Sequence, residues 1–410
     1  MTRLAPLLAA LLLAACSDVV PEDGTKPVAL ELNLGGTTGL ATLNECILSQ
    51  ATALLYFDGN LGLSSGDFSS RVLWSSSDPG VVEVSNGELP AASGGGYYAA
   101  GVLVPHRTGV VQVSASYLDF VASITLEVQP VLLSLEPELT DIAERSHQAF
   151  ELNITTASGL SVSAAEGVSW NLDQAVSNAN VDASGLLSAN SAGEGRFTLR
   201  AQPVGCDRSA TQSLKVSTID HLELEREQPE AALPVGISDL LRVQAHFAGS
   251  GSLPQNLSSQ MEYEADDDEI IGLATVGDAL KLSALEAGSS GGVARFEPDQ
   301  GSSYSIRLPD YTVQELDIGS LRLNPQELRL VYPATGELTA WAGFEDGIER
   351  PVSRHVSWSS SDSTLIAVVT GGESFGSVQI ANSDYSGQAY AAFGGYTAAA
   401  GVLVYRNEGP

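Results

Sequence analysis

One segment of the 410-residue chain has the spacing of a hydrolase nucleophile. It is Gly62-Leu63-Ser64-Ser65-Gly66, which matches the pattern G-x-S-x-G. In hydrolases this pentapeptide forms a sharp turn between a buried strand and a helix, and the turn exposes the serine hydroxyl. Here the neighbouring residues are polar and rich in glycine and serine, so we predict a loop between two strands. The segment therefore does not indicate a nucleophilic serine.

The five histidines are the other candidates for acid–base catalysis or zinc binding. They are His106, His147, His221, His246 and His355. No pair has the H-x-H or H-x-x-x-H spacing that places two imidazoles on one face of a strand or helix. The spacing argues against a zinc site and against a Ser-His-Asp triad. Because the chain also lacks a phosphate-binding glycine loop before a helix, we predict that it is not an enzyme.

Two short acidic segments offer the oxygen ligands that calcium prefers. One is Asp266-Asp267-Asp268-Glu269, and the other is Asp58-Gly59-Asn60. Neither fits the 12-residue loop of the helix–loop–helix calcium proteins, and a solvated acidic turn is the commoner explanation. We therefore predict no cofactor and no metal site, with calcium as the remaining alternative.

The first sixteen residues, MTRLAPLLAALLLAAC, contain one basic residue, an apolar run and small residues at the end. These are features of an export signal, and the run is too short for a membrane-spanning helix of about 20 residues. Leu13-Ala14-Ala15-Cys16 resembles the lipobox of bacterial lipoproteins. The resemblance implies removal of residues 1–15, lipidation of Cys16 and, because Ser17 follows, an outer-membrane location. An ordinary signal peptide with an incidental cysteine is the alternative.

The charge of the chain limits its partners. The net charge is −31, from 50 acidic and 19 basic residues. Nucleic acid and anionic lipid headgroups would be repelled, so we predict no nucleic-acid partner. The membrane contact is expected through the lipid alone, and the remaining partner class is an unknown protein or glycan.

The strongest pattern in the sequence is a repeat with a period of roughly 95 residues. VLWSSSDPGVVEVSNG (72–87) returns as VSWSSSDSTLIAVVTGG (356–372), and weaker copies lie between them. The aromatic residues that mark the copies are Trp74, Trp170, Tyr263 and Trp358. Elsewhere apolar and polar residues alternate, as in Ala122–Val128, which is typical of a strand with one buried face. Each repeat is therefore predicted to be all-β.

About seven short strands with an aromatic residue on the third are typical of an immunoglobulin-like sandwich. W-S-S-S-D-P-x-V-V-x-V-S-x-G also resembles the group 2 bacterial immunoglobulin-like domain found in invasin-like and intimin-like adhesins. The resemblance is good in the first and last copies and weakest in the third, where Tyr263 replaces tryptophan. It implies a tandem array of four β-sandwiches, at residues 27–129, 130–218, 219–316 and 317–410, after a linker at 16–26. We expect the four marker rings to lie in the sandwich cores.

The cysteines that remain after Cys16 are Cys46 and Cys206, which fall in different repeats. In an immunoglobulin-like sandwich, Cys46 would precede the second strand at the pole that faces the second repeat. Cys206 lies in a predicted hairpin between the last two strands of the second repeat, at the pole that faces the first. Disulfides form in exported proteins, so we predict a bond between them. Two unrelated free thiols are the alternative.

Two functions of different classes fit this organisation. The first is a non-enzymatic cell-envelope lipoprotein, a semi-rigid rod of modules for surface display, adhesion or interaction. Junctions such as Val128–Val131 contain no glycine/serine tract, which favours stiffness. The second is a glycan- or peptidoglycan-binding protein. Its candidate contact is Trp341, because the apolar residues around it alternate onto the opposite face of the predicted strand.

Overall fold

The computed structural model describes residues 26–34, 40–59, 62–91, 96–163, 167–173, 176–193, 195–203, 205–226, 232–249, 252–297, 303–331, 335–362, 366–368, 376–380 and 386–405. In these residues the secondary structure is β-strand apart from one 3-10 turn, Ser258–Gln260, which confirms the predicted all-β class. None of the described segments is a helix long and apolar enough to cross a membrane.

Strand pairing among the described residues falls into four consecutive sets, here called sets one to four. Set one contains β1 Lys26–Leu34, β2 Leu40–Asn44, β3 Ser49–Gly59, β4 Gly62–Asp67, β5 Leu73–Ser76, β6 Val82–Val84, β7 Val102–Pro105, β8 Gly109–Tyr117 and β9 Phe120–Gln129. One sheet has the order β1-β3-β7-β6, with β4 paired to β3, and the other has the order β2-β9-β8-β5. Their inner faces enclose a hydrophobic core that includes Leu55, Leu103 and Leu126.

Set two follows set one along the chain. It contains β10 Val131–Glu136, β11 Asp141–Ala143, β12 His147–Ala149, β13 Glu151–Thr156, β14 Ser161–Ser163, β15 Val168–Leu172, β16 Ala179–Val181, β17 Leu186–Ala189, β18 Arg196–Pro203 and β19 Ala210–Ser217. The sheet orders are β10-β13-β14, β12-β17-β16 and β11-β19-β18-β15.

Set three follows without a long connection. It contains β20 Ile219–Arg226, β21 Leu233–Pro234, β22 Ser238–Phe247, β23 Gln255–Asn256, β24 Glu262–Ala265, β25 Ile271–Val276, β26 Ala279–Ala284, β27 Gly288–Phe296 and β28 Tyr304–Gln314. One sheet has the order β20-β22-β26-β25, with β23 paired to β22, and the other has the order β21-β28-β27-β24.

Set four completes the described chain. It contains β29 Ile318–Asn324, β30 Glu327–Val331, β31 Gly336–Glu337, β32 Thr339–Phe344, β33 Glu349–Pro351, β34 Ser357–Ser360, β35 Ile366–Val368, β36 Ser377–Ile380, β37 Ser386–Phe393 and β38 Tyr396–Tyr405. The sheet orders are β29-β32-β33, β31-β36-β35 and β30-β38-β37-β34.

All four sets share one plan. A short early strand pairs in parallel with the last strand, in β2–β9, β11–β19, β21–β28 and β30–β38. The aromatic-bearing strands β5, β15, β24 and β34 lie at the other end of the same sheets. This plan is that of an immunoglobulin-like β-sandwich. An array of four separate domains stays a prediction, because contacts divide the chain into two compact units. The first unit comprises residues 1–138, 148–188 and 196–214, and the second comprises residues 139–147, 189–195 and 215–410.

Candidate functional site

The marker aromatic of set one joins its two sheets. Trp74 on β5 is 2% exposed, and its indole N–H donates to the carbonyl oxygen of Ser69 at 2.8 Å. The hydroxyl oxygen of Ser69 accepts from the backbone N–H of Ala53 on β3 at 2.9 Å. Ser69 therefore ties the ring in one sheet to the backbone of the other, and both of its buried polar groups are satisfied.

The same bonds recur in sets three and four. The ring donors are Tyr263 and Trp358, their carbonyl acceptors are Ser258 and Ser353, and the strand amides that donate to these serines belong to Val243 and Ala340, all at 2.8–2.9 Å. Trp358 is 8% exposed, whereas Trp170 and Tyr263 are only partly buried. Burial raises the pKa of the Tyr263 hydroxyl to about 12. A serine five residues before the aromatic is the sequence signal for this arrangement, and it was not among the predicted features of the repeat.

Glycines with positive φ lie against the tryptophan rings. A Cβ on Gly101, where φ is 85°, would lie 2.5 Å from the Ala51 carbonyl oxygen and 3.0 Å from the Trp74 ring. A Cβ on Gly185, where φ is 84°, would meet the Trp170 ring at 2.8 Å. Glycine is required here both for its backbone conformation and for the close approach of the ring.

Gly101→Ala is expected to destabilise set one more than Gly87→Ala does. Both glycines have positive φ, but a Cβ on Gly87 would meet nothing within 4 Å. The left-handed conformation alone costs about 1–2 kcal/mol, and overpacking against Ala51 and Trp74 adds about 1–3 kcal/mol. Urea denaturation of the two variants measures the difference, and equal losses would show that the ring contact is unimportant.

Sets one and two are linked covalently. Cys46, after β2, and Cys206, between β18 and β19, form a disulfide with a Cα–Cα distance of 4.9 Å, as predicted. Beside it, the Arg208 guanidinium donates to the Glu45 carboxylate at 2.8 Å and to the Val131 carbonyl oxygen at 2.7 Å. Glu45 is buried, whereas the Arg208 side chain is 44% exposed, so water reaches this ion pair from the arginine side. We call these five residues joint one.

Within the second compact unit, a buried glutamine contacts residues 143–147. Gln255 is 0% exposed, and its Oε1 accepts from the Ala143 N–H at 2.7 Å. Its Nε2 donates to the Ser146 hydroxyl at 3.2 Å and to the His147 carbonyl oxygen at 3.3 Å. The Gln260 amide both accepts from and donates to the His147 backbone at 2.8 Å. These five residues, joint two, all belong to the second compact unit.

Sets three and four meet at a buried arginine. Arg350 is 1% exposed, and its Nη2 donates to the Ala232 carbonyl oxygen at 2.6 Å. It also binds the Asp346 carboxylate through both Nη atoms, which holds the pKa of that carboxyl below its ordinary value. Nearby, His355 Nε2 accepts from the Ser238 N–H at 3.2 Å. We call these five residues joint three.

The neutral form of His355 is expected to make stability depend on pH. Burial first, and then the charges of Lys281 and Arg354, lower its pKa from 6.5 to about 4. The unfolded chain therefore binds a proton at higher pH than the folded chain, so stability is lost as pH falls from 6.5 towards 4. The loss amounts to about 3 kcal/mol at most. In urea titrations His355→Gln should lose less stability than wild type over this range, and parallel pH curves would contradict the assignment.

Trp341 lies on the outer face of β32, opposite the buried Ala340 and Ala342, and is itself partly buried. The Arg322 guanidinium lies over its ring at 5.4 Å and is paired with Glu349 at 2.7 and 2.9 Å. The Arg322–Glu349 ion pair thus covers one face of the Trp341 ring, so that face is not open to a ligand. Its indole nitrogen is buried and has no hydrogen-bond partner.

The hydrolase-like pentapeptide is not a loop, so that prediction was wrong. It forms the start of β4, where Ser64 pairs with Phe57 and Ser65 with Tyr56 of β3. A strand cannot supply the strand–turn–helix geometry that a nucleophilic serine needs. A cavity of about 310 Å³ elsewhere has Lys215 as its one ionisable lining residue, so it lacks a paired acid and base.

The acidic run is engaged in hydrogen bonds of its own. The Asp266 carboxylate binds the Arg307 guanidinium, which holds the pKa of Asp266 below its ordinary value. Asp267 Oδ1 accepts from the Glu269 N–H at 3.1 Å and so closes the turn. In the other segment Asp58 lies in β3, and Asn60 is outside the described residues, as is Cys16.

Comparisons with known proteins are distant. No family model matches the chain. Ice-binding protein 1 of Shewanella frigidimarina (strain NCIMB 400) is 26% identical over 330 residues, which are 78% of this chain and 33% of that protein. The chain thus spans about a third of the length of the curated relative it matches.

Solved structures of repeated β-domains are similar at low scores. Domains 4–9 of the surface layer protein SbsC match with 12% identity and a TM-score of 0.24, over 92% of this chain and 66% of that one. The four N-terminal Ig domains of Dscam1 isoform 4.44 match with 12% identity and a TM-score of 0.18, over 92% and 99%. Scores this low support no further statement, and the group 2 resemblance stays a hypothesis.

Proposed function

We propose that this protein is a non-enzymatic structural protein of the cell envelope, a stiff spacer of immunoglobulin-like sandwiches for surface display, adhesion or interaction. The observation that carries the proposal is that, among the described residues, joint one in the first compact unit and joints two and three in the second are each closed by a disulfide or by buried polar contacts. Joint one has Cys46–Cys206, joint two has Gln255 and joint three has Arg350. Glycine/serine linkers, which make flexible strings of modules, are not used at these junctions.

The joints resist bending because of what bending would leave unpaired. Separating Gln255 from Ala143 and Ser146 would leave its buried amide without these hydrogen bonds. An unsatisfied buried polar group costs about 1–3 kcal/mol. Moving Arg350 away from Ala232 would break the bond to the Ala232 carbonyl oxygen, while the guanidinium would keep its bonds to Asp346. Several hydrogen bonds would break together at each joint. Because their combined cost exceeds the thermal energy, bent arrangements should be rarely populated.

Membrane attachment through Cys16, with an outer-membrane location, is part of the proposal. The Cys46–Cys206 bond is consistent with export, because disulfides persist outside the reducing cytoplasm. Cys16→Ser should move the protein from the membrane fraction to the soluble fraction, whereas Cys46→Ser, which removes a different cysteine, should not. A mature protein that begins at any residue other than Cys16 would contradict the lipid anchor. Protease treatment of intact cells then distinguishes a surface-facing from a periplasm-facing protein.

A second candidate function is glycan or peptidoglycan binding. The half-buried Trp341 ring on the outer face of β32 favours it. Trp341→Phe keeps an aromatic ring and Trp341→Ala removes it, so the binding of the two variants on a glycan array tests whether the ring stacks on a sugar. Wild-type protein that binds no glycan on the array would leave only the spacer.

The match to an ice-binding protein makes ice a further ligand to test. It covers 33% of that protein, so the activity in its name is carried to this chain only as a hypothesis. A thermal-hysteresis gap for the purified exported chain would support ice binding, and its absence would favour the spacer role alone.

A further inference from the structure

Three potential metal ligands meet on the outer face of set three. His221 and Glu223 alternate onto the same side of β20, whose buried side carries Leu222 and Leu224. His246 on β22 is the direct cross-strand neighbour of His221. One ligand atom from each of the three residues lies within 4.8 Å of the others. Strand pairing joins two histidines that are far apart in sequence, so the lack of a short histidine spacing does not exclude a zinc site.

The three side chains lie close together, but one imidazole must turn before both can bind one ion. The two imidazole rings stack with centroids 4.6 Å apart and planes 7° apart. His246 Nε2 is buried and lies 2.9 Å from Glu223 Oε2, yet it has no hydrogen-bond partner. The Glu223 oxygen can only accept, and the His246 ring nitrogen is not aligned to donate to it. Ligands placed tetrahedrally 2.0–2.1 Å from a zinc ion are about 3.3 Å apart, which is within the separations found here. Because an imidazole lone pair lies in the ring plane, one of the two stacked rings must rotate about its side-chain bonds for both to bind the ion.

A second carboxylate orients the exposed histidine. Asp220 Oδ2 lies 2.9 Å from His221 Nδ1 and accepts a hydrogen bond from it. That bond leaves Nε2 of His221 as the nitrogen available to a metal. A carboxylate behind a histidine ligand fixes the ring and increases its basicity, as at many zinc sites.

We propose that His221, Glu223 and His246 bind one divalent transition-metal ion of the zinc class. Two imidazoles and one carboxylate suit zinc, nickel and copper(II), whereas calcium and magnesium prefer oxygen ligands alone. Three protein ligands leave a tetrahedral position for water or for a donor atom of a second molecule. The site lies at the edge strand of its sheet, so that position is open to solvent. It is separate from joints one to three and does not depend on the spacer role.

Titration calorimetry of the full exported chain with zinc chloride, in millimolar magnesium, tests the proposal. We expect one zinc ion per chain. His246→Ala and Glu223→Gln should each weaken binding by about 100-fold or more. Asp220→Asn should weaken it by about tenfold, as for other carboxylates that hydrogen-bond a metal-bound histidine. With copper(II) in the same site, the electron paramagnetic resonance spectrum should show hyperfine coupling to two imidazole nitrogens. In His246→Ala it should show coupling to one.

His106→Ala is the matched control, since His106 also contacts a carboxylate, Glu83, at 3.3 Å but has no second histidine beside it. It should bind zinc like wild type. Because the Glu223 side chain is exposed, Glu223→Gln should have the wild-type unfolding temperature in EDTA. This comparison separates the loss of a metal ligand from the loss of the fold. Zinc affinity that is absent in wild type, or equal in wild type, His246→Ala and Glu223→Gln, would overturn the site.

Discussion

Trp74→Ala is expected to lower the free energy of unfolding of set one by about 3–5 kcal/mol, as for other buried aromatic residues. The ring fills the space between the two sheets and is 2% exposed. Its loss leaves a cavity and also removes the N–H donor to the Ser69 carbonyl oxygen. Hydrogen exchange read by mass spectrometry should show the loss of protection mainly in residues 26–129.

Trp341→Ala is the control for this substitution. It removes the same ring from an outer sheet face, where the ring is partly exposed and its N–H bonds to nothing. We expect a cost of about 1–2 kcal/mol from the smaller buried area. Equal costs for the two variants would mean that Trp74 is not a core residue of the sandwich.

Removal of the disulfide is the other change with a large expected effect. The bond closes a loop with a sequence separation of 160, and loss of a native disulfide costs about 2–5 kcal/mol. Arg208 keeps its bonds to Glu45 and Val131 in the reduced protein, so joint one should loosen without unfolding set two. Urea denaturation of Cys46→Ala/Cys206→Ala, read by tryptophan fluorescence, measures the cost.

Reduction of the wild-type protein provides the matched control. Dithiothreitol should shift the wild-type midpoint towards that of the double variant and leave the double variant unchanged. If both cysteines of the exported protein react with an alkylating reagent before reduction, the disulfide does not form and the prediction fails.

The features that were predictable from the sequence depend on local patterns. Alternation of apolar and polar residues predicted strands such as β9, and the repeated tryptophan predicted a shared place in each sandwich. The Cys46–Cys206 bond was predictable because the poles of an immunoglobulin-like sandwich alternate along a tandem chain. The Ser64 loop prediction failed because a glycine/serine composition also fits an edge strand whose partner, β3, supplies the hydrophobic face.

The features that were missed depend on register and on junction geometry. His221 meets His246 only because β20 and β22 pair with a shift between Ile219 and His221, and no sequence spacing gives that register. Gln255 and Arg350 look like ordinary surface residues in the sequence. They are buried because a neighbouring set supplies the backbone groups that satisfy them.

The central claim, that joint one holds strand sets one and two in one arrangement, is tested most directly by a distance distribution across that joint. Spin labels on non-cysteine side chains at the exposed Thr125 and Ser161, read by double electron–electron resonance, leave Cys46 and Cys206 intact. We predict a single narrow distribution in the wild type, which broadens when both cysteines and Arg208 are replaced by alanine. A wild-type distribution as broad as that of the triple variant would contradict the account.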